Sequence, residues 1–480
     1  MEPTSTASTR LGGGALWALF AANIYRAATQ SVTADEAFTY NLFVHPKLKE
    51  TLHIYDANNH VLNTLLTKIS LSTLHLSEFS LRLPSLLFGG LYFWAVYRLA
   101  RRVFGSGGCF VAAVALLSLN PLVLDYLTAA RGYGMALALW MWALVFLLEY
   151  LEQAPGHGKG LLNRAGFCLG LAVAANLAFA FPVVALGGAF CLTAVLRKRV
   201  PAATLAEQLV VPAVLVAFLL AALPASHAEP ENFYYGAASL RGTLHSLALL
   251  SIYHTRFVTV YPGGIDSLDG IAGAACIGLS ALVAAGLLAG MAALRRRERG
   301  RTLDLLLLMS GAMALGWALL AAAHWVGGMR YPQSRTALYF IPIATLAGLA
   351  LAARTRRRPV LAAAGLFAAV IVAQYLTQFT MRIYSEWPGE AESEPLVQAL
   401  MRDAGGGRPV SIATGGVEEP VLSFYQAMYR QTNWQPVVRG LPERDFDYYV
   451  LTPNDAALVE KRHLRIIYKD LTLTLARSGF

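Results

Sequence analysis

The chain has 480 residues, 56% of them hydrophobic and only 14% charged, where an ordinary soluble domain carries about 25% charged residues. That balance excludes a wholly water-soluble enzyme and makes an integral membrane protein the first expectation. The formal charge of +10 does not read as a nucleic-acid footprint, because the basic residues are spread along the chain and are not gathered on one soluble face.

Apolar runs recur from Leu11 to about Thr380, and a spanning helix takes ~20 residues. About eleven helices are predicted, at 11–30, 82–103, 108–126, 134–152, 161–178, 180–196, 204–224, 269–294, 303–325, 335–353 and 359–379. Every second gap between them is basic: Arg98, Arg101 and Arg102; Lys159 and Arg164; Arg197, Lys198 and Arg199; Arg295, Arg296, Arg297, Arg299 and Arg301; Arg354, Arg356, Arg357 and Arg358. Basic short loops mark the cytoplasmic side. The expected topology is an inner-membrane protein with a cytoplasmic N-terminus and an extracytoplasmic tail. No small-residue cleavage site follows the first run, so it reads as a retained anchor. No internal repeat is evident. Cys109, Cys168, Cys191 and Cys276 all fall within predicted spans, where a bridge to the outer loops is not expected.

The outer gaps are unequal. Residues 31–81 form a large first loop with amphipathic patterns near Glu36 to Leu52 and His60 to Leu74, expected along the membrane surface, and a second large loop covers 225–268. Residues 1–380 are thus expected to form the transmembrane domain and 381–480 a water-soluble one. In that tail PVSIATG, YYVLTP and LRIIYKD read as strands separated by helical stretches at VLSFYQAMY and DAALVEKRH, which predicts a small α/β domain.

Under the topology set by the basic gaps, acids and arginines converge on the outer face. Asp35 and Glu36 follow the first helix, and their plain alternative is carboxylates favoured at a helix start. Asp56, Asn58, Asn59, His60 and Asn63 crowd the loop HIYDANNHVLN; Asx turns account for the first three but not for His60 and Asn63. Arg82 opens the second span with Pro84 in its first turn, and headgroup snorkelling competes with a functional role. Asp125, Arg131 and Tyr133 lie at the turn between the third and fourth spans, where ionisable groups are rare and tend to be paired or functional; an Asp125–Arg131 salt bridge is the rival reading. Arg330, Tyr331, Arg335 and Tyr339 cluster at the outer end of the tenth span, where two planar guanidinium groups suit a phosphate, with lipid headgroups as the alternative.

SVTADEAFTYNLF, SEFSLRLPSLLFGGLYFWAVYRLARRVFG and LNPLVLDYLTAARGYGMALAL resemble the N-terminal half of the GT-C superfamily, and within it the bacterial branch related to protein O-mannosyltransferases and the lipid A aminoarabinose transferase. The resemblance is strongest over residues 30–145 and weaker over 330–342. It implies a sugar donor on undecaprenyl or dolichyl phosphate, transfer on the outer face, and a catalytic acid in the first outer loop at the position of Asp35. Members often carry a Pro-Pro-Leu-like stretch where this chain has DANNHVLN, so the resemblance leaves the acceptor, whether glycan, lipid or protein, open.

The expected chemistry is inverting displacement at the anomeric carbon. Asp35 is the expected base, with Glu36 and Asp56 orienting it or the acceptor and His60 assisting. Arg82 and Arg131 hold the constellation, and Arg330 and Arg335 stabilise the departing phosphate. Asp125 completes the catalytic candidates, and Asn59, Tyr133 and Tyr331 complete the substrate-binding ones. No ligand spacing is diagnostic of a metal, and a divalent ion is compatible with carboxylates beside a histidine. A lipid-linked sugar flippase or secondary transporter is the rival from another class, but transporters usually show related halves and broken midplane helices. A membrane-anchored binding module would account for the tail and leave the loop acids unexplained.

Overall fold

The computed structural model describes residues 7–479 apart from 55, 155, 198, 230–234, 253–263, 356, 406–407 and 417, with the side chains of 264–269 and 271 also outside the described set. Tyr55 of the polar loop, Lys198 and Arg356 of the basic gaps, and parts of the second outer loop therefore lie outside the described residues.

All eleven predicted runs fold as helices. Among the described residues eight helices are long and apolar enough to cross a membrane, from Glu78–Phe104 to Arg358–Gln378. Three of the expected spans fall outside that group. Ala7–Thr29 carries the buried polar side chains Asn23 and Arg26, and Lys159–Ala175 is 17 residues long. The run expected at 108–126 is broken into Gly108–Ser118 and Pro121–Tyr126. The break is chemical: Asn120 caps the second piece by accepting from Val123 N–H at 3.1 Å, and Pro121 at the first helical position lacks the N–H that would continue the first. The segment expected as a second outer loop contains a helix, Leu240–Ile252.

The chain forms two compact units. The first comprises residues 1–24, 55–63 and 85–379. Its centre is the helix Gly132–Glu152, buried over nearly its whole length and packed on Lys159–Ala175, Ala180–Leu196 and Arg301–Gly327. Trp140 Nε1 donates to the Pro182 carbonyl at 3.1 Å and Trp142 Nε1 to that of Leu91 at 2.9 Å, so these large rings are buried with their polar atoms satisfied. Glycine is required where backbones touch: a Cβ on Gly132 would stand 1.8 Å from the Ala175 carbonyl oxygen, and one on Gly134 2.0 Å from that of Tyr126. Several arginines of the basic gaps are paired inside this unit, Arg98 with Glu149 at 2.7 Å, Arg102 and Arg301 with Glu152 at 2.9 and 3.0 Å, and Arg354 with Glu298 at 3.0 Å. Arg197 pairs with Asp304. All four cysteines are free thiols.

The second unit joins residues 25–54 and 64–84 to the tail from Thr380. The first-loop patterns fold as Ala34–Thr39, a π turn at Tyr40–Val44, Leu48–Leu52 and the longer Val61–Thr73. The tail contains a five-stranded mixed sheet of β1 (Ile412–Thr414), β2 (Val438–Arg439), β3 (Tyr448–Leu451), β4 (Arg465–Lys469) and β5 (Thr474–Arg477), in the order β2-β1-β3-β5-β4. β1 runs parallel to β2 and β3, and β5 is antiparallel to β3 and β4. The central strands β1 and β3 are buried along their whole length, as strands covered on both faces must be. The helices expected at VLSFYQAMY and DAALVEKRH appear as Glu418–Met428 and Ala457–Lys461. An amphipathic helix at Ser393–Ala404 was not anticipated.

Candidate active site

The predicted site residues fall into two constellations, one in each unit. The first is built on the short helix Ala34–Thr39. Thr33 caps it: Glu36 N–H donates to Thr33 Oγ1 at 3.2 Å, and Thr33 N–H donates back to Glu36 Oε2 at 2.9 Å, a capping box that satisfies two otherwise orphaned amides. Glu36 is fully buried and its carboxylate is gripped by the equally buried Arg82, with Nε to Oε1 at 2.8 Å and Nη2 to Oε2 at 2.7 Å. The rest of the Arg82 fork donates to the carbonyls of Gln30 at 2.6 Å and Ser31 at 2.8 Å. Arg82 therefore sits in no position to snorkel. The Tyr384 ring is within 5.0 Å of the Arg26 guanidinium carbon and 5.4 Å of that of Arg82, a cation–π contact on each. Asp35, beside Glu36, is half-buried.

The second constellation lines a cavity of about 200 Å³ in the first unit. Asp56 Oδ1 accepts from Asn58 N–H at 2.7 Å and its carbonyl from Asn59 N–H at 2.9 Å, which is the Asx turn the sequence allowed. The turn ends at His60, which is buried. His60 Nδ1 lies 3.0 Å from the Asn176 amide nitrogen, so it accepts and the tautomer carries its proton on Nε2. The ring stacks edge-on against Tyr133 at 4.8 Å. Burial first, then the Arg131 and Arg335 charges, hold its pKa well below the usual histidine range, outweighing the opposing pull of the Ala175 carbonyl. His60 is a neutral imidazole at physiological pH. Arg131, fully buried at the cap of Gly132–Glu152, donates through Nη2 to Asn58 Oδ1 at 2.6 Å. Asp125 is also buried, in Pro121–Tyr126.

Arg330 and Arg335 come to the same cavity from the turn before Phe340–Thr355. Arg330 is exposed, while the Arg335 guanidinium carbon sits 5.0 Å over the Tyr235 ring. Tyr331 exchanges backbone hydrogen bonds with Ala237 at 2.8 and 2.9 Å and packs its ring against His324 at 4.7 Å. Ser334 has φ 51°, the left-handed region a non-glycine residue rarely adopts, and its N–H donates to Ser246 Oγ at 2.8 Å. The unforeseen helix Leu240–Ile252 thus fixes the turn that presents Arg335.

The cavity brings together Asp56, Asn59, His60, Tyr133, Arg330 and Arg335; Asp35, Glu36 and Arg82 belong to the other unit. Among the described residues no group of three or more His, Cys, Asp or Glu side chains is arranged to hold a metal ion.

Residues 61–226 match the family model described as dolichyl-phosphate-mannose-protein mannosyltransferase. The structure of the chain is similar to ArnT from Cupriavidus metallidurans, solved bound to undecaprenyl phosphate, at 14% identity over 98% of each chain with a TM-score of 0.48. It is also similar to the Archaeoglobus fulgidus oligosaccharyltransferase in complex with zinc and sulfate, at 15% identity over 96% of this chain and 73% of that one, TM-score 0.45. A third is the mycobacterial arabinofuranosyltransferase AftD, at 14% identity over 99% and 42%, TM-score 0.45. No curated protein sequence matches the chain.

Two residues that the geometry makes prominent are absent from the sequence-based candidates. Asn176 interrupts the apolar run AVAANLAFAF, caps the turn Leu177–Phe179 and orients His60; an amide inside a spanning run was the available signal. Tyr235, in the segment before Leu240–Ile252, carries the face on which Arg335 rests, and nothing in its local sequence marks it.

Proposed function

We propose that the protein transfers a sugar from a polyprenyl-phosphate carrier to an extracytoplasmic acceptor with inversion at the anomeric carbon. In this reading Asp35 takes the proton from an acceptor hydroxyl or amine as that atom bonds to the anomeric carbon. The bond to the phosphate oxygen breaks with its electron pair, and polyprenyl phosphate leaves. Arg330 and Arg335 stabilise the charge that develops on the phosphate. Glu36 and Arg82 hold the base's helix, and neutral His60, oriented by Asn176, donates to substrate oxygen. Asp56 and Arg131 keep the His60 loop in place, and the buried Asp125 is a further candidate.

The observation that carries the reading is the cavity itself: two guanidinium groups, a neutral imidazole and the amides of Asn58, Asn59 and Asn176 share its lining with apolar side chains such as Leu177, Phe181 and Leu320, which suits a polar anionic headgroup on an apolar carrier. The match over residues 61–226 supports the same chemistry, and the alternating basic gaps support an outer location for it. Purified protein should release undecaprenyl phosphate from at least one of a panel of undecaprenyl-phosphate-linked hexoses and pentoses, followed by mass spectrometry. Inertness toward the whole panel, with the protein folded and no headgroup binding, would refute the reading.

A further inference from the structure

The tail belongs to the same compact unit as the Asp35 loop, and hydrogen bonds join the two between Ser31 and Asn41. Ser31 Oγ donates to the Ala391 carbonyl at 3.0 Å, and Val32 N–H donates to the Tyr425 hydroxyl at 2.9 Å. Asn41 Nδ2 donates to the Pro420 carbonyl at 2.9 Å. A further bond reaches the helix that bears Asp35. Ala34 N–H, the first amide of Ala34–Thr39 and one that the helix cannot satisfy by itself, donates to Glu390 Oε2.

Glu390 stands in the short turn Pro388–Glu390 and is 9% exposed. A carboxyl so enclosed needs a reason. The capping box accounts for the amides of Thr33 and Glu36, and Ala37 N–H reaches the Thr33 carbonyl at 2.8 Å. The Ala34 amide, immediately before Asp35, is the one held by the tail.

We propose that Glu390 is a positioning residue for Asp35: by binding the Ala34 amide it lets the tail fix the turn from which the base projects. The proposal rests on Asp35 being the base. The charged groups that face Glu390 are Asp35, Glu418 and Glu36, all acidic. Burial first, and then these like charges, push its pKa up to about 8, against the opposing Ala34 bond. It is therefore neutral at pH 7 and adds no charge beside Asp35. Above about pH 8 it ionises, and a second negative charge then disturbs the base it positions.

The test uses the full-length protein and release of undecaprenyl phosphate from the panel sugar that turns over. Glu390→Ala should lower kcat about ten- to a hundredfold, the range a small misplacement of a reacting group produces, with donor KM within about twofold. Glu390→Gln keeps an acceptor for Ala34 and should retain most of kcat at pH 7, but should lose the fall in kcat that wild type shows as pH rises through about 8. Wild-type kcat in Glu390→Ala, or an unchanged alkaline limb in Glu390→Gln, overturns the proposal; if Glu390→Ala does not fold, the Gln variant decides alone. Asp35→Asn is run in parallel, and full activity there refutes the base and not the contact. In that event amide exchange of the 31–39 peptide decides: faster exchange in Glu390→Ala retains the pinning of the turn, and unchanged exchange removes it.

Discussion

Removing Arg82 should loosen the Asp35 turn by an amount that can be worked out from the structure. Both side chains of the Glu36–Arg82 pair are fully buried, their atoms meet at 2.7 Å, and Arg82 also holds the carbonyls of Gln30 and Ser31. Deleting one partner leaves a buried charge uncompensated, which costs ~3–5 kcal/mol. At about 1.36 kcal/mol per decade, that is a loss of roughly 10²- to 10⁴-fold in amide protection if the turn opens locally. Hydrogen exchange on Arg82→Ala should report it at Thr33 and Glu36, whose amides close the capping box, and at Ala37, whose amide donates to the Thr33 carbonyl. Arg82→Lys keeps the charge without the planar fork and should fall between Ala and wild type. Glu36→Gln combined with Arg82→Met removes both charges and should recover much of the loss, since the penalty lies in the unpaired charge and not in the absence of a pair. Protection within fivefold of wild type in Arg82→Ala would refute the reasoning.

Arg335→Lys should weaken binding of a non-hydrolysable polyprenyl-phosphate analogue despite conserving charge, and unchanged affinity in both Arg330→Ala and Arg335→Ala would move the phosphate elsewhere. Because the folded pKa of His60 is depressed, its contribution to stability is complete above the unfolded value and is lost as pH falls. Below about pH 6.5 wild type should lose up to ~1.4 kcal/mol per pH unit relative to His60→Gln, and parallel melting curves from pH 7 to 5 would contradict this. Alkaline phosphatase fused after Phe480 should be active and fused after Arg299 inactive, and the reverse pattern would invert the proposed topology.

The helices were legible because eleven long apolar runs are separated by basic or polar gaps, and hydrophobic length is a local property. The sheet strands β1, β3 and β4 were legible for the same reason. Leu240–Ile252 was not: its 13 residues are too short for a span and sit in a segment read as loop. The Asn120–Pro121 break was visible as residues but hidden by the apolarity on either side. In the candidate site, spacing alone put Asp35 and Glu36 side by side and could not divide their roles. The division comes from Arg82, 46 positions away, which encloses one carboxylate and leaves the other half-buried. Glu390 is further still, 356 positions from Ala34, and only tertiary structure brings the two together. The Asp56 turn shows the converse, since its Asx geometry is dictated by neighbouring residues and could be read directly.

The central claim is that Asp35 is the base of a glycosyl transfer, and turnover of the active panel donor by Asp35→Asn and Glu36→Gln at matched folding tests it most directly. A positioned base contributes ~10²- to 10⁴-fold, so Asp35→Asn should lose about that factor in kcat while still binding donor. Glu36→Gln alone leaves the buried Arg82 unpaired and loosens the turn, so it is read beside Glu36→Gln combined with Arg82→Met, which removes both charges and should lose much less than Asp35→Asn. Near wild-type transfer by Asp35→Asn, with donor binding intact, would contradict the account.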